Sequence, residues 1–390
     1  MNLLQPILDQ ADTLTAIRQD LHAHPELGFE EIRTSGIVAD LLQSWGITVH
    51  RGIGKTGVIG VIDGKGPGRA IGLRADMDAL PIHEQTNLAF SSTKPGVMHA
   101  CGHDGHTTML LGAARYLADT RDFDGQVILI FQPAEEGLGG ARAMLDDGLF
   151  ERFPCDEIYG LHNRPGAAQN HVGIKPGVAM AGADFFDIRV IGRGSHAARP
   201  SDSRDPILAA SALVQALQGI VSRNLEPNVA AVVSVTQFHS GTAYNVIPGE
   251  AVISGTARMF TDEIRAQIQT RIREICAGIA TTHGVEVKVD IRDIFTPLVN
   301  DDSLSKVFAD LARQVVGADN VLLGGDPVTG SEDFADMLNA VPGAYFTIGF
   351  EGTGALHNEG FSFDDSILPL GATLLARVAE TRTGSSTVLK

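Results

Sequence analysis

The segment Met98-His99-Ala100-Cys101-Gly102-His103-Asp104-Gly105-His106 gathers one cysteine, three histidines and an aspartate, in a chain of 390 residues with only three cysteines. Thiolate beside imidazole is a ligand mix that suits zinc, or manganese or nickel when oxygen ligands are added. The residues that follow carry Met109, Leu110, Ala113, Ala114 and Leu117 at helical spacing, so the cluster sits where a loop becomes a helix. Unpaired backbone N–H groups and the positive end of the dipole favour a thiolate there. His99 and His106 could equally be polar helix-cap residues, and Cys101 a small buried apolar residue. The cluster alone does not decide between these readings. Further ligands have to come from elsewhere in the chain.

The elements around the cluster supply them. Helices are expected at 13–24, where Leu14, Ile17 and Leu21 share a stripe, and at 31–45, with Gly46 placed as the residue after the cap. The first ends in His22-Ala23-His24-Pro25, since proline disfavours helix in the residue before it; His22 and His24 are possible ligands, though helix-end histidines near backbone carbonyls are commoner. Apolar strands are expected at 56–62, 70–74, 126–131 and 157–161, alternating with helices after the cluster and at 140–146. This alternation is the doubly wound α/β pattern, in which ligands bind beyond the carboxyl ends of the strands. Asp76 and Asp78, Glu135 and Glu136, and His162 each follow a strand directly.

From about residue 183 the pattern changes to strand 184–192, helix 206–223, strand 229–238, strand region 245–260, helix 261–283 and strand 285–291. Thr261 is a plausible N-cap, and Ile264, Ile268, Ile272, Ile275 and Ile279 form a buried stripe. The order βαββαβ is ferredoxin-like. The α/β character returns with helices at 303–316 and 332–339, a strand at 344–349, a glycine-rich loop holding Leu356-His357-Asn358-Glu359, and a helix at 366–380. From Thr383 the chain reads as a loose tail. The expected organisation is therefore 1–182 with 295–390 as one α/β domain and 183–294 as an inserted domain, consistent with a length at which single cores stop growing.

Composition bounds the partners. Net charge is −17, with 44% hydrophobic and 20% charged residues, and there is no Lys/Arg-rich run, which argues against nucleic acid and anionic membranes. No apolar run reaches membrane-spanning length and no signal-like segment appears. Cys101, Cys155 and Cys276 are odd in number and widely spaced, so a disulfide framework is not expected. A soluble cytoplasmic protein is the expectation.

Cys101, His103, Glu136, His162 and His357 emerge as candidate ligands. They are too many for one tetrahedral ion but suit two divalent ions with Cys101 shared. Glu135, beside a ligand but pointing elsewhere, would be free to take a proton. A solvated acidic loop would leave unexplained why this pair follows a fully apolar strand.

The segments Asp76-Met77-Asp78-Ala79-Leu80-Pro81, Cys101-Gly102-His103-Asp104-Gly105-His106, Gln132-Pro133-Ala134-Glu135-Glu136-Gly137, Leu161-His162-Asn163 and Leu356-His357-Asn358 resemble the amidohydrolase branch of the dinuclear metallopeptidase family, the hippurate hydrolase and N-acyl-L-amino-acid amidohydrolase type. The resemblance runs nearly end to end. It implies a di-zinc exopeptidase-like catalytic domain, a mixed sheet with helices on both faces, with the ferredoxin-like insert as a lid and dimerisation domain. It implies Cys101, His103, Glu136, His162 and His357 as ligands of two ions (manganese, zinc or nickel), Cys101 bridging, and Glu135 as general base and acid. Relatives outside this branch have His-x-Asp where this chain has Asp76-x-Asp78, so Asp76 is not expected to ligate and Asp78 is an orienting candidate. Gly194-Ser195-His196-Ala197-Ala198-Arg199-Pro200 is similar to the family's lid motif, whose histidine often reaches the partner subunit's active site; His196 would hold the oxyanion. Asn245 and Arg258 match positions that hold substrate, although Arg258 read on its own could be a surface residue.

The implied reaction is hydrolysis of the amide of an N-acyl amino acid by a metal-activated water, in a homodimer or higher homo-oligomer. A metallocarboxypeptidase or dipeptidase of the same chemistry is the alternative. A metal-dependent binding protein without turnover is the reading from another class, and Glu135 beside Glu136 speaks against it, because a structural site needs no base.

Overall fold

The computed structural model describes residues 1–352 and 354–384. The chain divides into two units: Met1–Ala179 with Val299–Asp326 and the residues from Asp333 on, and Met180–Leu298 with Pro327–Glu332. The expected inserted domain was 183–294. The short segment Pro327–Glu332 joins the second unit through backbone bonds from Ala181 N–H to Val328 O and Gly330 O, both 3.0 Å, a long-range pairing without a local sequence signal.

In the first unit, strands Gln126–Gln132, Ala70–Asp76, Glu157–Pro165 and Gly343–Phe350 lie side by side in that order, all parallel. The apolar run from Val127 to Phe131 is buried throughout, as expected where both faces of a parallel sheet are covered. Gly57–Asp63 and Thr48–Ile53 extend one side in antiparallel fashion, and Val172–Ile174 and Val321–Leu323 extend the other, giving a mixed sheet of eight strands. Faces alternate along a strand. Ile71, Leu73 and Ala75 join the main core, while Arg74 points to the opposite side, its guanidinium 5.5 Å from the Phe334 ring on helix Phe334–Ala340.

Strand Ala70–Asp76 is flanked by the next two strands of the chain, one on each side. This is the point where the winding reverses, and a crevice opens there beyond the carboxyl ends. Helix His103–Thr120 leads out of it and is buried on nearly every side, against that strand and helices Ala11–Ala23 and Leu368–Arg382. A helix so enclosed must be largely apolar, which the run from Met109 to Ala118 provides apart from the half-exposed Arg115.

Several boundaries differ from expectation. Strand Thr48–Ile53 lies on the sheet edge with only Ile53 buried, so it lacks an apolar run, and three-residue strands are too short to show a period. His162 lies inside strand Glu157–Pro165 rather than after it. Thr383 is buried and donates its hydroxyl to Ala379 O at 2.7 Å, so the chain is ordered past the expected start of the tail; residues 385–390 lie outside the described residues. Gly46, with φ of 73°, closes helix Ile32–Ser44, its N–H bonded to Gln43 O at 3.0 Å. No helix among the described residues is long and apolar enough to cross a membrane.

The second unit is an antiparallel sheet in the order Val232–Ser240, Glu250–Met259, Gly182–Ile191, Glu286–Phe295. With helices Pro206–Leu217 and Asp262–His283, this is the ferredoxin-like arrangement. Phe186, Ile188 and Val190 share its core with Leu213, Leu217, Ile268 and Ile272. Thr261 caps the long helix by accepting the Ile264 N–H. The other helix stops at Leu217, short of the expected 223, and a π-turn over Ile220–Asn224 follows Gly219.

Candidate metal centre

Five segments converge at the carboxyl ends of the parallel strands. Cys101 Sγ lies 3.4 Å from His162 Nε2, and His357 Nε2 lies 3.2 Å from Glu136 Oε1. Potential ligand atoms of Cys101, His103 and His162 fall within 4.8 Å of one another, as do those of Cys101, Glu136 and His357, and those of His103, Glu135 and Glu136. The five expected ligands thus form two overlapping triplets that share Cys101, with Glu135 beside them.

Local backbone geometry aims these side chains. Gly102 adopts φ of 93° at the start of helix His103–Thr120, and a Cβ there would come within 2.3 Å of Asn163 Nδ2. Ala134, with φ of 53°, bends the chain just before Glu135; its N–H donates to Glu31 Oε1 at 2.8 Å, and Glu31 Oε2 accepts from the Thr56 hydroxyl. A non-glycine residue in this region is strained and persists only where its surroundings hold it. His357 also has positive φ, 62°, and its N–H donates to Ala100 O at 2.8 Å, tying it to the cysteine segment.

The electrostatics are those of a site short of positive charge. Burial lowers the His103 imidazole pKa, but the charges of Asp76 and Cys101 outweigh it and hold the pKa well above the usual range. Cys101 and then Glu136 push His357 up to about 10. Burial pushes the Cys101 thiol up, against the expected effect of the helix start, so thiolate at this position needs a cation next to the sulfur. Burial also takes His162 down to about 3, leaving a neutral imidazole with a lone pair to give. His103 Nε2 is buried without a hydrogen-bond partner, a cost of about 1–3 kcal/mol unless something binds it. Soft sulfur, neutral nitrogen and carboxylate oxygen around such an atom fit divalent cations.

The surrounding shell is hydrogen-bonded. His103 Nδ1 lies 3.0 Å from Asp78 O and 3.1 Å from Asp78 Oδ1, and Asp78 Oδ2 accepts the Glu136 N–H at 3.0 Å. His106 Nδ1 lies 2.7 Å from Asp76 Oδ1, and His106 Nε2 accepts the Asn163 N–H at 3.0 Å. With both nitrogens engaged, His106 is a poor ligand despite lying within ligating distance of Asp76 and His103. Burial pushes the Asp76 carboxyl up, but His103, Arg74 and His106 bring it well below the usual carboxylate range.

His22 lies deeper, with Nδ1 2.8 Å from Asp104 Oδ2, and His24 is exposed with Nδ1 2.9 Å from Asp20 O; neither belongs to a ligand cluster. The contacts of Asp104, His106 and Asn163 go beyond the sequence reading; for Asp104 and His106 the signal is polar residues along a buried helix, and Asn163, in a strand, carries none.

His196, Asn245 and Arg258 belong to the second unit. Ser195–His196 pairs with Val246–Ile247, and the Ala197 N–H donates to Asn245 O at 3.0 Å, which brings His196 and Asn245 together. His196 Nδ1 accepts the Ala198 N–H at 3.1 Å. Arg258 is half-buried near the end of strand Glu250–Met259, donating to Thr256 Oγ1 and to Ala257 O, with its guanidinium 6.0 Å from the Phe185 ring.

A doubly wound α/β unit with thiol, imidazole and carboxylate groups gathered at its strand ends has the donor set of a metal site. The sequence pattern of Peptidase family M20/M25/M40 matches residues 72–381, and the chain belongs to that family. It is 44% identical to a hippurate hydrolase from Campylobacter jejuni over 97% of this chain and 99% of the relative, and 40% identical to an N-acetyl-L-cysteine deacetylase from Bacillus subtilis over 91% and 84%. A solved structure of the Bacillus subtilis YXEP protein, described as a dinuclear metal binding peptidase from the M20 family, superposes with a TM-score of 0.83 at 34% identity, covering 96% of this chain and 99% of that one.

Proposed function

We propose that this protein hydrolyses the amide bond of N-acyl amino acids, hippurate-like or N-acetylated, releasing a carboxylate and a free amino acid. The observation that carries the reading is Glu135, buried beside the two ligand triplets and within ligating distance of His103 and Glu136. Cys101, His103, Glu136, His162 and His357 would hold two divalent ions, with Cys101 common to both. Such ions supply Lewis acidity, polarising an amide carbonyl and making water acidic near neutral pH. Glu135 then accepts a proton from the attacking water, whose oxygen forms the new bond to the carbonyl carbon. As the C–N bond breaks, Glu135 returns that proton to the departing nitrogen, so the amino acid leaves as the neutral amine; the water's second proton stays on the acyl product, which ionises to the carboxylate in solution. A thiolate ligand favours zinc, while the carboxylate also admits manganese or nickel.

His196, Asn245 and Arg258 are substrate-side candidates on the strength of their motifs, His196 for the oxyanion and Arg258 as a planar clamp for the substrate carboxylate. The protein acts as a homo-oligomer assembled through its second unit, in the cytoplasm, where its free Cys101, Cys155 and Cys276 stay reduced. Light scattering on the purified protein tests the assembly.

The function itself is tested by turnover on protein reconstituted separately with zinc, manganese and nickel. The substrates are N-acetyl and N-benzoyl amino acids and dipeptides. Release of amino acid from the acylated substrates is expected; cleavage of dipeptides alone would replace this reading with a dipeptidase.

A further inference from the structure

Strand Glu157–Pro165 outruns its neighbour. Its pairing with Ala70–Asp76 ends at Arg74 opposite Gly160, yet the strand continues through His162 and Asn163. The backbone N–H of Asn163 therefore lacks a strand partner on that side, and His106, reaching across from helix His103–Thr120, takes it at 3.0 Å. His106 can accept there because its Nδ1–H is directed to Asp76 Oδ1 at 2.7 Å, which places the lone pair on Nε2. Asp76 is held in turn by Arg74, whose Nη1 donates to Oδ2 at 2.8 Å, and by Thr107, whose hydroxyl donates to Asp76 O at 2.7 Å.

Asn163 passes this anchoring on to the cluster in two directions. Its Nδ2 donates to Cys101 O at 2.6 Å, and its carbonyl oxygen lies 2.6 Å from His162 Nδ1. The second contact fixes the His162 tautomer, so that Nε2 faces Cys101 Sγ. The His106 ring also packs directly on His162, with centroids 4.6 Å apart at 65°.

We propose that His106 and Asn163 are positioning residues that set the separation of Cys101 and His162, and with it the affinity for the one ion this pair would share with His103. The proposal rests on the reading of Cys101 and His162 as ligands. Cys101 is common to both triplets, but His162 belongs to one of them only, and the His357 N–H is held separately by Ala100 O, so the effect falls more heavily on one of two ions. A merely structural role would weaken both together.

The test is a cobalt(II) titration of metal-free protein against a competing chelator, read as the number and affinity of bound equivalents and by thiolate-to-cobalt charge-transfer absorption. Circular dichroism and the thermal midpoint of the metal-free protein are followed in parallel. His106→Leu is expected to weaken one equivalent by roughly ten- to a hundredfold and the other much less. His106→Gln, whose amide oxygen can still accept from Asn163, is expected to recover most of that loss. Asn163→Ala, which keeps the backbone N–H but loses the Nδ2 contacts to Cys101 O and to His106 Nε2 (2.9 Å), should weaken the same equivalent most, and it carries the test should His106→Leu not fold. Unchanged binding in folded His106→Leu and Asn163→Ala, or an equal fall of both equivalents alongside the melting point, overturns the proposal. His162→Ala separates the two levels of argument. If it binds two equivalents like the wild type, the ligand reading itself is wrong and the proposal goes with it; if it loses one while the His106 and Asn163 variants lose none, only the positioning role fails.

Discussion

Asp78 Oδ1 lies 3.1 Å from His103 Nδ1, leaving the partnerless Nε2 as the nitrogen free to ligate. The other oxygen of the same carboxylate holds the Glu136 N–H, so one side chain orients two candidate ligands from different segments. Asp78→Ala is expected to lower metal affinity by roughly ten- to a hundredfold, measured by chelator competition. Wild-type affinity in that variant would show that the ligands orient themselves.

Glu135 should separate binding from turnover. Glu135→Gln keeps the size and polarity of the side chain but cannot accept a proton. Metal content by elemental analysis is expected to stay at the wild-type level while kcat falls by roughly 10²–10⁴-fold. Full activity in the metal-loaded variant would assign proton transfer to another group.

The buried pair His22 and Asp104 gives the fold a pH signature. Burial alone lowers the His22 pKa, but the hydrogen bond and charge of Asp104 raise it to about 9. A group whose folded pKa exceeds its unfolded value stabilises fully below the unfolded pKa, near 6.5, and ceases to as the pH passes the folded one. About 3 kcal/mol, from ~1.4 kcal/mol per pKa unit, is thus present at pH ~6 and lost by about pH 10. Urea midpoints measured across that interval should fall more steeply for the wild type than for His22→Gln. Parallel curves would count against a charged His22.

Gly102 is a backbone position in the cysteine–histidine segment with no room for a side chain. Gly102→Ala combines a left-handed conformation, costing about 1–2 kcal/mol, with a Cβ 2.3 Å from Asn163 Nδ2. Lower thermal stability and weaker metal binding are expected together, because the clash falls on a residue that touches both Cys101 and His162. A calorimetric scan and a chelator titration on the same sample check this.

Features repeated locally along the chain were legible in the sequence. The run from Val127 to Phe131 announces a buried strand, the isoleucines from Ile264 to Ile279 announce a helix, and the donors at successive strand ends announce a centre. Residues whose meaning lies in a distant partner were not. His106 reads as a helix-cap histidine until Asn163 is seen opposite it. Arg74 and Asp76 stand two apart in a strand, which puts them on one face, and charged residues on the face of an otherwise apolar strand were the one hint of the network beneath. Pro327–Glu332 carries no periodic signal, so its place in the second unit appears only in three dimensions.

The backbone bond from His357 to Ala100 joins the last donor segment to the first. On the proposed ligand set, a nascent chain that has not yet reached position 357 would have an incomplete coordination sphere, however well its earlier strands have folded. Since ligation free energy adds to that of folding, metal uptake would then be among the final events of maturation, and prematurely terminated products should be unable to retain a full complement of ions.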